Sequence, residues 1–174
     1  RLAVVNKAVK ENIQTYLTQF RMVTDAVNIK DAFIINIGVQ FSLLTKSGYN
    51  KQEVVLRAIQ KVKDFFNIDK WQIGQPIVLS DLAYQISLTD GVSAVVPPED
   101  NNPNGLPVLI GNKFQESEGY SGNVYDIVSA TKDGIVYPSL DPSCFELKFP
   151  NADIEGRVVG DSAGSPGNSN GGSY

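Results

Sequence analysis

Two pairs of carboxylates stand close together in the chain, Glu99 with Asp100 and Glu116 with Glu118. Such pairs do general acid–base work, or cleave a glycosidic bond, when they face each other across a cleft. Both pairs sit in polar, loop-like stretches where solvated charge is the ordinary state, and their spacing places neither across a cleft. Asp100-x-Asn102-x-Asn104-Gly105 matches the opening of an EF-hand calcium loop, with oxygen ligands at positions 1, 3 and 5 and the turn glycine at 6. Position 12, which needs a bidentate Glu, is Gly111, and Pro97-Pro98 stand where the entering helix should be. A polar turn is the better reading. Cys144 is the single cysteine; it has no histidine to activate it and no evident cationic neighbour, so an inert thiol is expected. Arg57, Lys61 and Lys63 make a modest basic face on one helical stretch, which reads as solvated surface. The glycines build neither G-x-G-x-x-G nor G-x-x-x-x-G-K-[ST], so no phosphate cradle is encoded.

The wider composition narrows the chemistry further. Among 174 residues there is no histidine, which removes Ser-His-Asp and Cys-His catalysis and any imidazole metal ligand. One cysteine allows no internal disulfide and no zinc cage. With 15 basic and 19 acidic residues the net charge is −4, and no basic block is present, so neither nucleic acid nor an anionic membrane surface is an expected partner. No apolar run approaches the roughly 18 residues of a membrane span. Lys7, Lys10 and Glu11 interrupt the place of a signal-peptide core, and no Asn-x-Ser/Thr sequon occurs. A soluble protein of a reducing compartment is expected. The first residue is Arg rather than Met, which suggests a fragment or processed product of a longer protein.

Residues 2–22 have helical spacing, with Val5, Val9, Ile13, Tyr16 and Phe20 on one stripe. Two packings fit this stripe: it covers the core of its own domain, or it meets another chain. Residues 32–44 alternate strictly. Phe33, Ile35, Ile37, Val39, Phe41 and Leu43 predict one buried face, with Asn36, Gly38, Gln40 and Ser42 opposite. Ser47-Gly48 turns the chain, and Asn50 can cap a helix with Glu53 three residues on, as in a capping box. That helix carries the stripe Val55, Ile59, Val62 and Phe66. Trp71 and Ile73 suggest a short strand. Ser80 is the expected cap of a further helix holding Leu82, Ala83 and Ile86, stopped by Asp90-Gly91, and residues 92–96 read as a strand.

Beyond Pro98 the texture changes to loop, then to strands at 124–130 and 135–137 joined by Lys132-Asp133-Gly134. Phe145, Leu147 and Phe149 alternate once more. From residue 160 to 174 there are five Gly and four Ser, which predicts a flexible tail. The expected class is α+β, with helices on a mixed or antiparallel sheet. Residues 1–97 form the N-terminal helix plus α+β core, 98–159 a loop and β-rich C-terminal part, and 160–174 a disordered Gly/Ser tail.

Several stretches also carry a family likeness. Residues 24–33 (TDAVNIKDAF), 35–39 (INIGV), 50–54 (NKQEV), 66–73 (FNIDKWQI) and 76–81 (PIVLSD) resemble the C-terminal region of baseplate wedge proteins of T4-like phages, within the baseplate J-like family of contractile tails. The likeness continues through Asp126-Ile127, Asp133-Gly134-Ile135-Val136, residues 142–148 (PSCFELK) and 153–159 (DIEGRVV), and so covers about residues 1–159.

The resemblance implies a non-enzymatic virion protein of the tail baseplate, assembled in the host cytoplasm without a cofactor or metal. It implies a homodimer that joins neighbouring baseplate wedge proteins into a ring around the hub. On that reading Val5, Val9, Ile13, Tyr16 and Phe20 are the interface candidates. Two rivals remain from the residues themselves. One is a small-molecule or peptide-binding α+β domain with loop 98–120 as its mouth. The other is a carboxylate hydrolase such as a tail-associated glycosidase.

Overall fold

In the computed structural model, which describes residues 2–18 and 31–161, the alternating run forms β1 (Phe33–Thr45), the spine of the molecule. β3 (Val92–Val96) and β4 (Leu109–Asn112) run antiparallel to it, against residues 42–45 and 37–40. β7 (Ser143–Glu146) and β8 (Ile154–Asp161) run parallel to it, against residues 33–36 and 39–45. Because β8 overlaps both antiparallel partners in register, it takes the opposite edge of β1. β7 lies in line with it: Phe33 N–H donates to Pro142 O at 2.6 Å, whereas Asn36 O, on the other edge, accepts from Lys113 N–H at 2.8 Å. The fold is therefore α+β with a mixed sheet, and strands from either side of residue 97 share it. A second small sheet orders β2 (Ile77–Val78), β6 (Ile135–Val136) and β5 (Thr131–Lys132).

The odd-numbered face of β1 makes the core. Ile35, Ile37, Val39, Phe41 and Leu43 are buried together with Val54, Ala58 and Val62 of α2 (Lys51–Phe65) and Leu79, Leu82 and Ile86 of α3 (Leu79–Ser87). The stripe of α2 thus runs one residue ahead of the expected one: Val55 and Ile59 are half-buried on its flank, and Val62 and Phe66 stay in the core. Asn50 does cap α2, its Oδ1 accepting from Gln52 N–H at 3.0 Å and Glu53 N–H at 3.3 Å. The Glu53 carboxylate pairs with Arg57.

The even-numbered face differs from expectation. Asn36, Gly38 and Ser42 are buried as well. Lys113 and the backbone of Asp153 close over Gly38, and the 121–123 segment closes over residues 34–36. At Asn36 the polar side chain marks a hydrogen-bonded interior position rather than a wet one.

Other local expectations shift for identifiable reasons. α3 begins at Leu79, so Ser80 lies inside the helix; no side chain caps it, because Val78 at the N-cap has no acceptor, and Leu79 N–H donates to Gly134 O at 3.0 Å. Gly91 lies beyond the end of α3, with φ +91°, where Tyr49 and Val54 leave no room for a Cβ. Trp71 and Ile73 form no strand; the Trp71 ring packs on Phe65 and Phe66 instead. Residues 124–130 form no strand either. Asp126 accepts from Ser129 N–H at 3.1 Å and starts a short helix, α4 (Ile127–Ala130). The hairpin after it is present, with Asp133 at φ 53° and Gly134 at φ 73° joining β5 and β6. Of the alternating Phe145, Leu147 and Phe149, only Phe145 lies in β7; Phe149 stands just before α5 (Pro150–Asp153).

Candidate functional site

The N-terminal helix begins later than its spacing suggested. α1 (Lys7–Thr18) starts after Asn6, whose Oδ1 accepts from Ala8 N–H at 2.9 Å. Val5 precedes the helix and leaves the helical stripe. Val9, Ile13 and Tyr16 keep i, i+4, i+7 spacing, and Leu17, overlooked in the sequence, extends the same face at i+4 from Ile13. Phe20 lies outside the described residues. Every residue from 3 to 17 except Lys10 is exposed, with Val9 at 47%, Ile13 at 44% and Tyr16 at 62%. α1 shares no packed interface with another described element.

Polar groups anchor this segment to the body. Leu2 N–H donates to Glu146 Oε2, Val5 N–H donates to Asp31 Oδ1 at 3.3 Å, and Lys10 pairs with Asp31 Oδ2. The Lys10 ammonium, hydrogen-bonded to Asp31, holds that carboxyl below its ordinary value.

The side chains with chemical potential are dispersed. Asp100 reaches Arg157 at 3.5 Å, and Glu116 and Glu118 share an exposed 3₁₀ turn (Glu116–Glu118). Asn102 does not offer its oxygen to a cation. Its Oδ1 accepts from Leu106 N–H at 2.8 Å, and its Nδ2 donates to Pro98 O and Leu106 O at 2.9 Å each. Cys144 is buried, and burial followed by the nearby Glu146 carboxylate raises its thiol pKa, so the thiol form is held. Arg57 lies 3.9 Å from Asp90 besides pairing with Glu53, and Lys63 donates to Asn151 at 2.7 Å. Among the described residues, no three His, Cys, Asp or Glu side chains gather as a metal group.

The 98–123 segment borders a cavity of about 290 Å³. Gly38 and Gln40 form part of its floor, with Asn101, Asn104, Lys113 and Glu155 around it. Leu79, Leu106, Leu109, Ile110 and Val128 make most of the remaining lining apolar, so the cavity suits a small, largely apolar molecule with a polar end. Among the described residues, no helix is long and apolar enough to cross a membrane. Compared with known proteins, the chain matches no family model and no curated relative.

Proposed function

We propose that this chain is a non-enzymatic structural component of a contractile phage tail baseplate, which helps form the wedge ring through contacts with a second copy and with neighbouring wedge subunits. The observation that supports this reading is α1. On its apolar face Val9, Ile13 and Leu17 are each more than 40% exposed, and a helix gains most of its stability in water from packing such a face. Burying Val9, Ile13, Tyr16 and Leu17 against another protein would supply on the order of 1.5–3 kcal/mol for each fully covered side chain. The resemblance of residues 1–159 to baseplate wedge proteins of T4-like phages supports the kind of assembly, a virion tail baseplate.

Light scattering of the chain, alone and mixed with wedge proteins, tests the proposal. Assembly is expected, and V9D/I13D abolishes it without changing the circular dichroism. A chain that stays monomeric and joins no wedge protein overturns it. The cavity beside the 98–123 segment favours a second reading, a small-molecule or peptide-binding domain. In that case a metabolite raises the Tm in a dose-dependent way.

A further inference from the structure

The attachment of the N-terminal arm, residues 2–6, carries a conformational consequence. Glu146 is only 8% exposed, and no basic side chain lies within ion-pair distance of it among the described residues. Its two oxygens are instead satisfied by N–H donors: Asn36 Nδ2 on Oε1 at 2.8 Å, and the backbone of Leu2 on Oε2. Asn36 is itself fixed, because its Oδ1 accepts from Ser121 N–H at 2.8 Å. A buried carboxylate is costly unless donors surround it, and one of its donors comes from the exposed arm. Some way along the same segment, Asp31 accepts from Val5 N–H and from Lys10. The body thus presents two carboxylates, and the arm and the first turn of α1 supply the donors.

We propose that Glu146 and Asp31 act as a two-point clasp that sets the direction in which α1 projects, and that the arm detaches as a strap when the clasp opens. The contacts are polar and charge-assisted, and of the arm's side chains only Leu2 is half-buried, at a pocket it lines with Phe66, Trp71 and Phe145. Opening therefore uncovers one apolar side chain, Leu2, and leaves the core of β1, α2 and α3 in place.

The test is a distance measurement on the full chain, with nitroxide labels at Ala8→Cys on α1 and Gln85→Cys on α3; Cys144 is buried and stays unlabelled. The parent should give one narrow distance. Leu2→Pro deletes the N–H that reaches Glu146, Leu2→Ala keeps that N–H and so controls for the lost side chain, and Asp31→Asn removes the charge at the second point. Leu2→Pro and Asp31→Asn should each raise the detached fraction on the order of tenfold, as expected for losing a hydrogen bond to a charged group. The pair together should leave no single distance while the Tm of the body is unchanged. Glu146→Gln should behave as Leu2→Pro does, and if it unfolds the chain, Leu2→Pro decides. A parent with a broad distribution, or a Leu2→Pro/Asp31→Asn chain with the parent's narrow one, overturns the clasp.

Discussion

Asn36 on β1 and Glu146 on β7 stand opposite each other in the parallel register, and the Asn36 amide donates to the Glu146 carboxylate at 2.8 Å inside the protein. The same asparagine accepts Ser121 N–H on its side chain, while its backbone carbonyl accepts Lys113 N–H at 2.8 Å and the Asn112 amide at 3.1 Å. One fully buried residue thus ties β1 to β4, β7 and the 121–123 segment. This is why the even face of the spine is polar and dry at position 36.

Replacing Asn36 by Leu, which has a similar shape, would leave Glu146 Oε1 and Ser121 N–H buried without their partner. Each orphaned group costs about 1–3 kcal/mol and a charged one more, so Asn36→Leu should lose about 2–5 kcal/mol in urea denaturation. Asn36→Asp keeps the acceptor for Ser121 but sets two carboxylates face to face, and should also be destabilised at neutral pH. A change of under about 0.5 kcal/mol in Asn36→Leu, the range of an ordinary surface substitution, would show that the network carries no stability.

Asn102 makes a second prediction, because its side chain closes the 98–106 turn through three hydrogen bonds. Asn102→Ala should cost about 1–3 kcal/mol and raise amide exchange at Leu106. Asn102→Asp keeps the acceptor for Leu106 N–H but loses both donors. Since the Asn102 oxygen is already engaged, millimolar calcium should leave the Tm of the parent unchanged. A calcium-dependent rise in Tm would restore the EF-hand reading.

The sequence was most legible where one physical cause acts alone. The alternation of residues 33–45 gave the spine, and Asn50 followed by an apolar stripe gave α2, because pattern and cap act locally. The even face of β1 was not legible: a polar side chain met by Ser121 and Glu146, distant in sequence, looks the same in one dimension as a polar side chain met by water. β4 was missed because its four residues end in Gly111-Asn112 and owe their conformation to pairing with β1. Residues 124–130 misled for the opposite reason. Their β-branched residues outweighed the Asp126–Ser129 capping contact that actually decides the local structure. For α1 the stripe was visible, but its exposure follows from what lies around the helix, which no spacing encodes.

Gly156 gives a third prediction, from packing. A Cβ built there would lie 2.5 Å from Phe41 Cζ and 3.0 Å from Val55 Cγ1, between the sheet and α2. Overfilling a packed core typically costs about 1–3 kcal/mol, and Gly156→Ala should lose that much. Shortening the obstructing ring should relieve part of the clash, so Gly156→Ala and Phe41→Leu should combine for less than the sum of their separate losses. Strict additivity would mean that the two residues do not meet.

The last prediction concerns alkaline stability. Tyr120 donates its hydroxyl to Asp153 Oδ1 at 2.5 Å, and its ring packs edge-on to Phe149. Burial first, and then the hydrogen bond and charge of Asp153, push its phenol from the ordinary 10.0 up to about 12. The folded state therefore keeps a proton that the unfolded state releases. This contribution to stability is fully present below pH 10.0 and is lost as the pH rises towards about 12. Tyr125, raised by its own burial, acts in the same direction. Tyr120→Phe keeps the ring on Phe149 but has no proton to lose, so its stability should fall less steeply over that window than the parent's. An absorbance titration of the folded protein should also show one fewer late-ionising phenol in the variant. Identical alkaline slopes for the two proteins would mean that the Tyr120–Asp153 contact does not hold the proton in solution.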